Sequence, residues 1–117
     1  MQKRNNSFKY DRISSEIKKE LQTIITTEIK DPRIKSQVSI TECIVSKDLS
    51  LCKVFIVTDQ EDKDNVIKGL NNSRGFLRSA LAHTLDLRKT PDFKFYIDES
   101  FENMNHIEEL LNKIKQS

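Results

Sequence analysis

Along the first part of the chain, Ile13, Ile17, Leu21, Ile24, Ile25 and Ile29 recur at three- and four-residue steps. That period lays one apolar stripe along an otherwise polar segment and predicts an amphipathic helix from about Ser7 to Lys30. The helix stops in KDPR, because Pro32 disfavours helical geometry at Asp31. Two runs rich in β-branched residues follow, VSITECIVS and LSLCKVFIVT, separated by the polar step Lys47–Asp48. They predict a hairpin. A two-residue turn at that step sets Cys43 opposite Cys52, close enough for the thiols to bridge, and Val45 opposite Ser50. Cys52, Val54 and Ile56 then share one face of the sheet with Cys43 and Val45. Val38 and Ile40 fall out of phase unless one residue is inserted. A β-bulge is therefore expected at Thr41–Glu42, returning Ile40 opposite Val54 and Val38 opposite Ile56.

Residues 62–88 return to helical periodicity, with Val66, Ile67, Leu70, Leu77, Leu81 and Leu85 on or near one stripe. Both glycines of the chain, Gly69 and Gly75, fall inside it, with Asn71 and Asn72 between them. Glycine in a helix interior costs roughly 0.5–1 kcal/mol relative to alanine. Two helices meeting at a bend near Asn71–Gly75 are thus expected, the second closed by Thr90–Pro91. FKFYID reads as a third strand, with Phe93, Phe95 and Ile97 on one face. NHIEELLNKI spaces Ile107, Leu110, Leu111 and Ile114 as a short C-terminal helix, with Asn105 and Glu108 as a capping box.

A crossover from the second strand to the third through a helical pair makes those strands parallel and the connection right-handed. The expected fold is α+β: helix, strand, strand, helix–kink–helix, strand and an appended helix. Its three-stranded mixed sheet has the second strand in the centre and helices on one face. This arrangement is similar to a type II KH domain, a single-strand RNA-binding module. With no repeat, low-complexity tract or linker, residues 1–117 read as one domain, residues 1–6 forming a basic arm that need not be ordered on its own.

At 36% hydrophobic and 32% charged residues, the chain suits a globular protein with a well-solvated surface. MQKRNNSFKYDR carries no apolar run of signal-peptide type, and no stretch approaches the ~18–20 apolar residues of a membrane span. A cytoplasmic monomer without membrane contacts is the expectation. Net charge is only +2, but its distribution is uneven. Net-positive blocks over residues 1–35 and 74–91 alternate with net-negative ones over 36–73 and 92–117, an asymmetry that permits polyanion binding without demanding it.

Motifs that carry covalent chemistry are missing: the sequence has no GxGxxG, no Walker loop and no HExxH. His83 lies opposite the leucine stripe and reads as solvent-facing, and His106 as part of a capping region. Cys43 and Cys52 lack CxxC spacing and read as small core residues rather than as half of a zinc site with the two histidines. No enzyme activity, metal or cofactor is expected. What remains is charge. Arg74 and Arg78 form an i,i+4 pair beside the leucine stripe, and Arg88 and Lys89 close the same predicted helix, where positive charge suits the helix dipole. Lys3, Arg4, Lys9 and Arg12 form a second basic group at the start of the first helix. Charge alone leaves a solvated, dipole-compensating face as open as an RNA-binding one. The GxxG that KH domains use to approach a nucleic-acid backbone is also missing, since the glycines stand six apart in GLNNSRG.

Five segments in order, IKDPR, VSKDLSLCKVFI, SRGFLR, LDLRKTPDFKFYIDES and IEELLNKI, resemble bacterial ribosome-binding factor A across nearly the whole chain. The resemblance implies a type II KH fold whose GxxG turn is replaced by an Ala-x-Gly kink. Ser73–Arg74–Gly75 occupies that place, with Gly75 as the expected kink residue and Ser73 departing from the family's alanine. It implies a non-enzymatic assembly factor that binds the small (30S) ribosomal subunit late in maturation and contacts 16S rRNA. It further implies support of 16S rRNA 5′-end processing, notably in the cold. A protein-interaction adaptor, using the sheet face with Lys53, Phe55, Val57 and Tyr96 or the C-terminal helix, is the competing expectation.

Overall fold

In the computed structural model, which describes residues 2–85, 87 and 89–100, helix α1 spans Gln2–Glu28. It therefore begins before Ser7, so that Lys3, Arg4 and Lys9 lie on its opening turns, and ends two residues short of Lys30. Ile17, Leu21, Ile24 and Ile25 are buried along one stripe, flanked by the partly buried Ile13 and Ile29. That stripe packs chiefly on strand β1, Val38–Val45.

Strand β2, Leu51–Thr58, pairs antiparallel with β1 and parallel with β3, Asp92–Ile97, giving the sheet order β1-β2-β3. Helices α2 (Lys63–Asn72) and α3 (Arg74–Thr84) form the crossover between β2 and β3. The chain is thus α+β with a three-stranded mixed sheet in the KH-like arrangement, β2 at the centre. The C-terminal helix expected over residues 105–114 lies outside the described residues. Alternation along the strands puts Val38, Ile40, Cys43, Val45, Cys52, Val54, Ile56, Phe93 and Phe95 on the helix-covered face, in one core with Val66, Leu70, Leu77 and Leu81.

The hairpin register differs from the expected one. Val45 lies opposite Cys52 and Cys43 opposite Val54, so the two thiols are diagonal neighbours rather than a facing pair. The connection is longer than two residues because Ser46 N–H donates to the Leu51 carbonyl (2.8 Å), leaving Lys47–Ser50 as the loop. Asp48 organises that loop, accepting from Ser46 Oγ (2.8 Å), Ser50 Oγ (2.7 Å) and Ser50 N–H (3.1 Å). Leu49 takes φ 60°, an unfavourable left-handed geometry for a branched side chain, while its side chain packs against the core. The slip is two residues, so every side chain keeps its face. Beyond the bulge the same slip sets Ile40 opposite Ile56 and Val38 opposite Thr58. The bulge itself falls between Ile40 and Glu42 as the hydrophobic phase requires, and Thr41 is the extra residue.

Gln22, on α1, occupies the first part of the outer edge of β1. Its side chain donates to the Val38 carbonyl (3.0 Å) and accepts from Ile40 N–H (2.7 Å), as a neighbouring strand would. A second glutamine, Gln60, ties down the segment before β1, accepting from Lys35 N–H (2.8 Å) and Ser36 N–H (3.2 Å) and donating to the Arg33 carbonyl (2.9 Å). Asp62 caps α2 by accepting from Asn65 N–H (3.2 Å).

The two glycines have different surroundings. An ideal Cβ on Gly69 would lie 2.7 Å from Ile34 Cγ1 and 3.2 Å from Asp31 Oδ1, so α2 presses its backbone onto the Asp31–Ile34 turn. Asp31 holds this joint: its carboxylate, in a side chain only 6% exposed, accepts from Arg33 N–H (2.9 Å), pairs with the Arg33 guanidinium (2.9 Å) and accepts from Asn72 Nδ2 (3.0 Å). Gly75 by contrast meets nothing within 4 Å and has no positive φ.

Gly69→Ala should destabilise the fold by about 1–3 kcal/mol, because Ile34 must be displaced. Gly75→Ala should be neutral or stabilise by up to about 1 kcal/mol. Urea denaturation of the two variants measures the contrast, and equal effects would refute it. Hydrogen bonds from Ser50 and Ser46 lower the Asp48 carboxyl to about 2, and the Arg33 amide bond lowers Asp31. Both favour the ionised form in the folded state. Their contribution is therefore complete above the ordinary value of 3.8 and is lost as pH falls toward 2. In urea midpoints measured through that window, Asp48→Asn should flatten the acid limb.

Candidate nucleic-acid interface

The α2–α3 break falls at Ser73, at φ −96° and ψ 5°, a bridge-region conformation that interrupts the helical path. Ser73 N–H donates to the Leu70 carbonyl (3.0 Å), while its own carbonyl accepts from Leu77 N–H (2.9 Å). Its hydroxyl turns back to the Gly69 carbonyl (2.9 Å). That bond serves the end of α2 and leaves the start of α3 with no side-chain cap. The first-turn amides of Arg74, Gly75 and Phe76 thus keep the partial positive charge of a helix N-terminus. The missing Cβ at Gly75 leaves this backbone open to an approaching group, and N–H groups so placed favour an anion. The kink is accordingly made at Ser73, and Gly75 lies within the first turn of α3 rather than at the bend.

Arg74 and Arg78 are both exposed, one turn apart on α3. Arg78 Nη2 donates to the Thr90 carbonyl (3.3 Å), which draws the loop before β3 to the same side. Phe76, roughly 200° around the helix from Arg74, is 47% exposed. Arg74 and Phe76 therefore flank the open Gly75 backbone, a cation on one side and an aromatic ring on the other. Periodicity does not single out Phe76. Its signal is an aromatic residue off the leucine stripe, next to a glycine.

The other basic residues are placed differently. α3 ends at Thr84, well before Pro91, because Leu85 is extended (φ −110°, ψ 136°) and packs against the core together with Leu87. Lys89 therefore does not close a helix; it stands exposed in the following loop, where its charge helps hold the Asp48 carboxylate ionised. Arg88 lies outside the described residues. Arg12 is exposed on α1, a separate element, and Lys3, Arg4 and Lys9 lie nearer its N-terminus.

His83 is exposed, with Nδ1 2.8 Å from the Ser79 carbonyl, and His106 lies outside the described residues. Among the described residues, no group of three or more His, Cys, Asp or Glu stands close enough to hold a metal ion. No described helix is long and apolar enough to cross a membrane. Cys43 and Cys52 are buried free thiols. The neighbouring Cys52 thiol, together with burial, pushes the Cys43 thiol above its ordinary range.

The family model of ribosome-binding factor A matches residues 9–111. The chain belongs to the ribosome-binding factor A family. A ribosome-binding factor A from Clostridium perfringens is 42% identical over 113 residues, covering 94% of this chain and 97% of that protein. One from Finegoldia magna is 44% identical over 108 residues, covering 90% and 89%. The crystal structure of ribosome-binding factor A from Thermus thermophilus superposes with a TM-score of 0.69 at 23% identity, covering 75% of this chain and 93% of the other. A homology model of the Thermus thermophilus factor, fitted into a cryo-EM map of its 30S complex, superposes with a TM-score of 0.61 at 24% identity, covering 71% and 88%. In this member of the ribosome-binding factor A family, the serine at the kink is a hydrogen-bonded part of the break.

With the Cys43 thiol held protonated, native protein at mildly alkaline pH should react with an aromatic disulfide reagent only as fast as it opens, and unfolded protein at once. Rapid stoichiometric labelling of the native state would contradict the buried placement of the pair.

Proposed function

We propose that this chain binds the small ribosomal subunit during late maturation by contacting 16S rRNA through the start of α3. The observation that carries the reading is the uncapped, glycine-opened first turn of α3, flanked by Arg74 and Phe76, in a chain of the ribosome-binding factor A family. A backbone phosphate fits the amides of Arg74–Phe76, the guanidinium groups of Arg74 and Arg78 neutralise the phosphates beside it, and Phe76 offers a ring face for an unpaired base. Lys3, Arg4, Lys9 and Arg12 on α1, with Arg88 and Lys89 before β3, add further phosphate contacts that orient the domain without reading sequence. The groups on α1 and α3 lie on separate elements, so one small domain can touch more than one rRNA segment.

Holding an rRNA region while its neighbours settle supports processing of the 16S 5′ end. The need is greatest in the cold, where mispaired RNA rearranges slowly. No step of this mechanism breaks a covalent bond, so the chain acts without catalysis, metal or cofactor.

Co-sedimentation with isolated 30S subunits, 50S subunits and 70S ribosomes across a salt series tests the proposal. Binding should be confined to 30S and weaken with salt. Replacing Arg74 and Arg78 with glutamine should reduce the slope of log K against log salt by about 0.7–0.9 for each phosphate no longer neutralised. Phe76→Ala should weaken binding by about 1–3 kcal/mol with the slope unchanged. Failure to bind 30S at any salt concentration would overturn the reading.

A further inference from the structure

The sheet has two outer edges, and among the described residues a helix side chain bonds to one of them. Gln22 occupies the first part of the edge of β1. On β3, Asp92 N–H donates to the Ser50 carbonyl and Asp98 N–H to the Ile56 carbonyl, so the even-numbered amides face β2. Those of Phe93, Phe95 and Ile97 consequently face outward. Phe93 N–H is taken by the Asp92 carboxylate (2.8 Å). Among the described residues, no strand pairs with the outer side of β3.

Around the last residues of that edge runs a groove of about 610 Å³. Its walls are apolar and aromatic: Phe55 and Tyr96, with ring centroids 5.3 Å apart, together with Ile67, Phe95 and Ile97. Glu42, Asp98 and Glu99 also line it. Asp98 accepts from Thr41 and Ser100, whereas Glu42 and Glu99 are exposed. The rings also have an affinity for cations that the chain itself uses, since Lys94 Nζ stands 5.9 Å from the centre of the Tyr96 ring.

We propose that the outer edge of β3 and this groove form a docking site for an extended, lysine- or arginine-bearing segment of a partner protein. The segment adds beside β3 as a fourth strand, bonding the outward-facing amides and carbonyls of Phe95 and Ile97. One of its cationic side chains enters the groove against the Phe55–Tyr96 pair and is neutralised by Glu42 and Glu99. Charge decides between partner classes. The carboxylates repel a phosphate backbone and attract a basic peptide, opposite to the field at Arg74 and Arg78. The two surfaces thus take chemically different partners, and neither proposal depends on the other.

The test is amide-resolved NMR of the full-length protein titrated with a short synthetic peptide of alternating valine and lysine, and with its valine–glutamate counterpart. The lysine peptide should shift the Phe93, Phe95 and Ile97 amides and slow exchange at Phe95 and Ile97, and the glutamate peptide should not. Changing both Glu42 and Glu99 to glutamine should weaken the lysine peptide by about tenfold, leaving 30S co-sedimentation unchanged. Tyr96→Ala, with its fold verified by the amide spectrum, should weaken it similarly. An unresponsive β3, equal responses to both peptides, or shifts confined to other surfaces would each overturn the proposal. So would Phe95 and Ile97 amides already protected in the free protein, which would mean that another part of the chain occupies the edge.

Discussion

The geometry of the α2–α3 unit depends on how closely α2 approaches the turn after α1. Only a residue without a side chain allows the helix to rest on Ile34 and the Asp31 carboxylate at that distance. Asn72 then reaches the same carboxylate, fixing the last turn of α2 one residue before the break at Ser73. The position and direction of the α3 N-terminus follow from that contact. An aspartate whose side chain is almost fully covered is costly to bury unpaired. Here it is matched by a backbone amide, an amide side chain and a guanidinium, so the joint is polar and still well satisfied.

From this joint outward, the fold divides its surface by charge and by backbone availability. The start of α3 presents N–H groups with arginines nearby, whereas the outer side of β3, with no strand paired to it among the described residues, lies beside carboxylates. In the two proposed roles, one end of the crossover meets a polyanion and the strand that follows it a basic segment, with the same buried core supporting both. Ser73 contributes by what its hydroxyl does not do. By bonding backward to Gly69, it leaves the following helix uncapped.

Much of this is legible in the residue pattern, for reasons that separate periodicity from geometry. The isoleucine stripe of α1, the alternation of the strands and the phase error at Thr41 are consequences of which face is buried, and burial is written in residue type. The hairpin register departs by two residues because the loop is closed by Ser46, Asp48 and Ser50, whose hydrogen bonds carry no periodic signature. α3 ends earlier than its stripe suggests, because Leu85 and Leu87 are apolar in an extended stretch as well as on a helical face. The glycines reverse their expected importance: the close approach that requires one falls at Gly69 and comes from a turn more than thirty residues earlier in the chain, and no local spacing reports it. Phe76 escapes stripe counting, which discards off-stripe residues, although an exposed aromatic residue is informative for that very reason.

The glutamine that bonds to β1 sets a limit on self-association. Sheets that polymerise without end need two complementary open sides on each molecule, so that every addition leaves a fresh one. In this chain Gln22 fills the hydrogen-bonding positions of Val38 and Ile40 from within. Chains meeting through β3 would find the first part of the opposite edge already occupied, which works against further growth. One polar side chain on a long helix thereby makes the β1 side a poor seed for fibres.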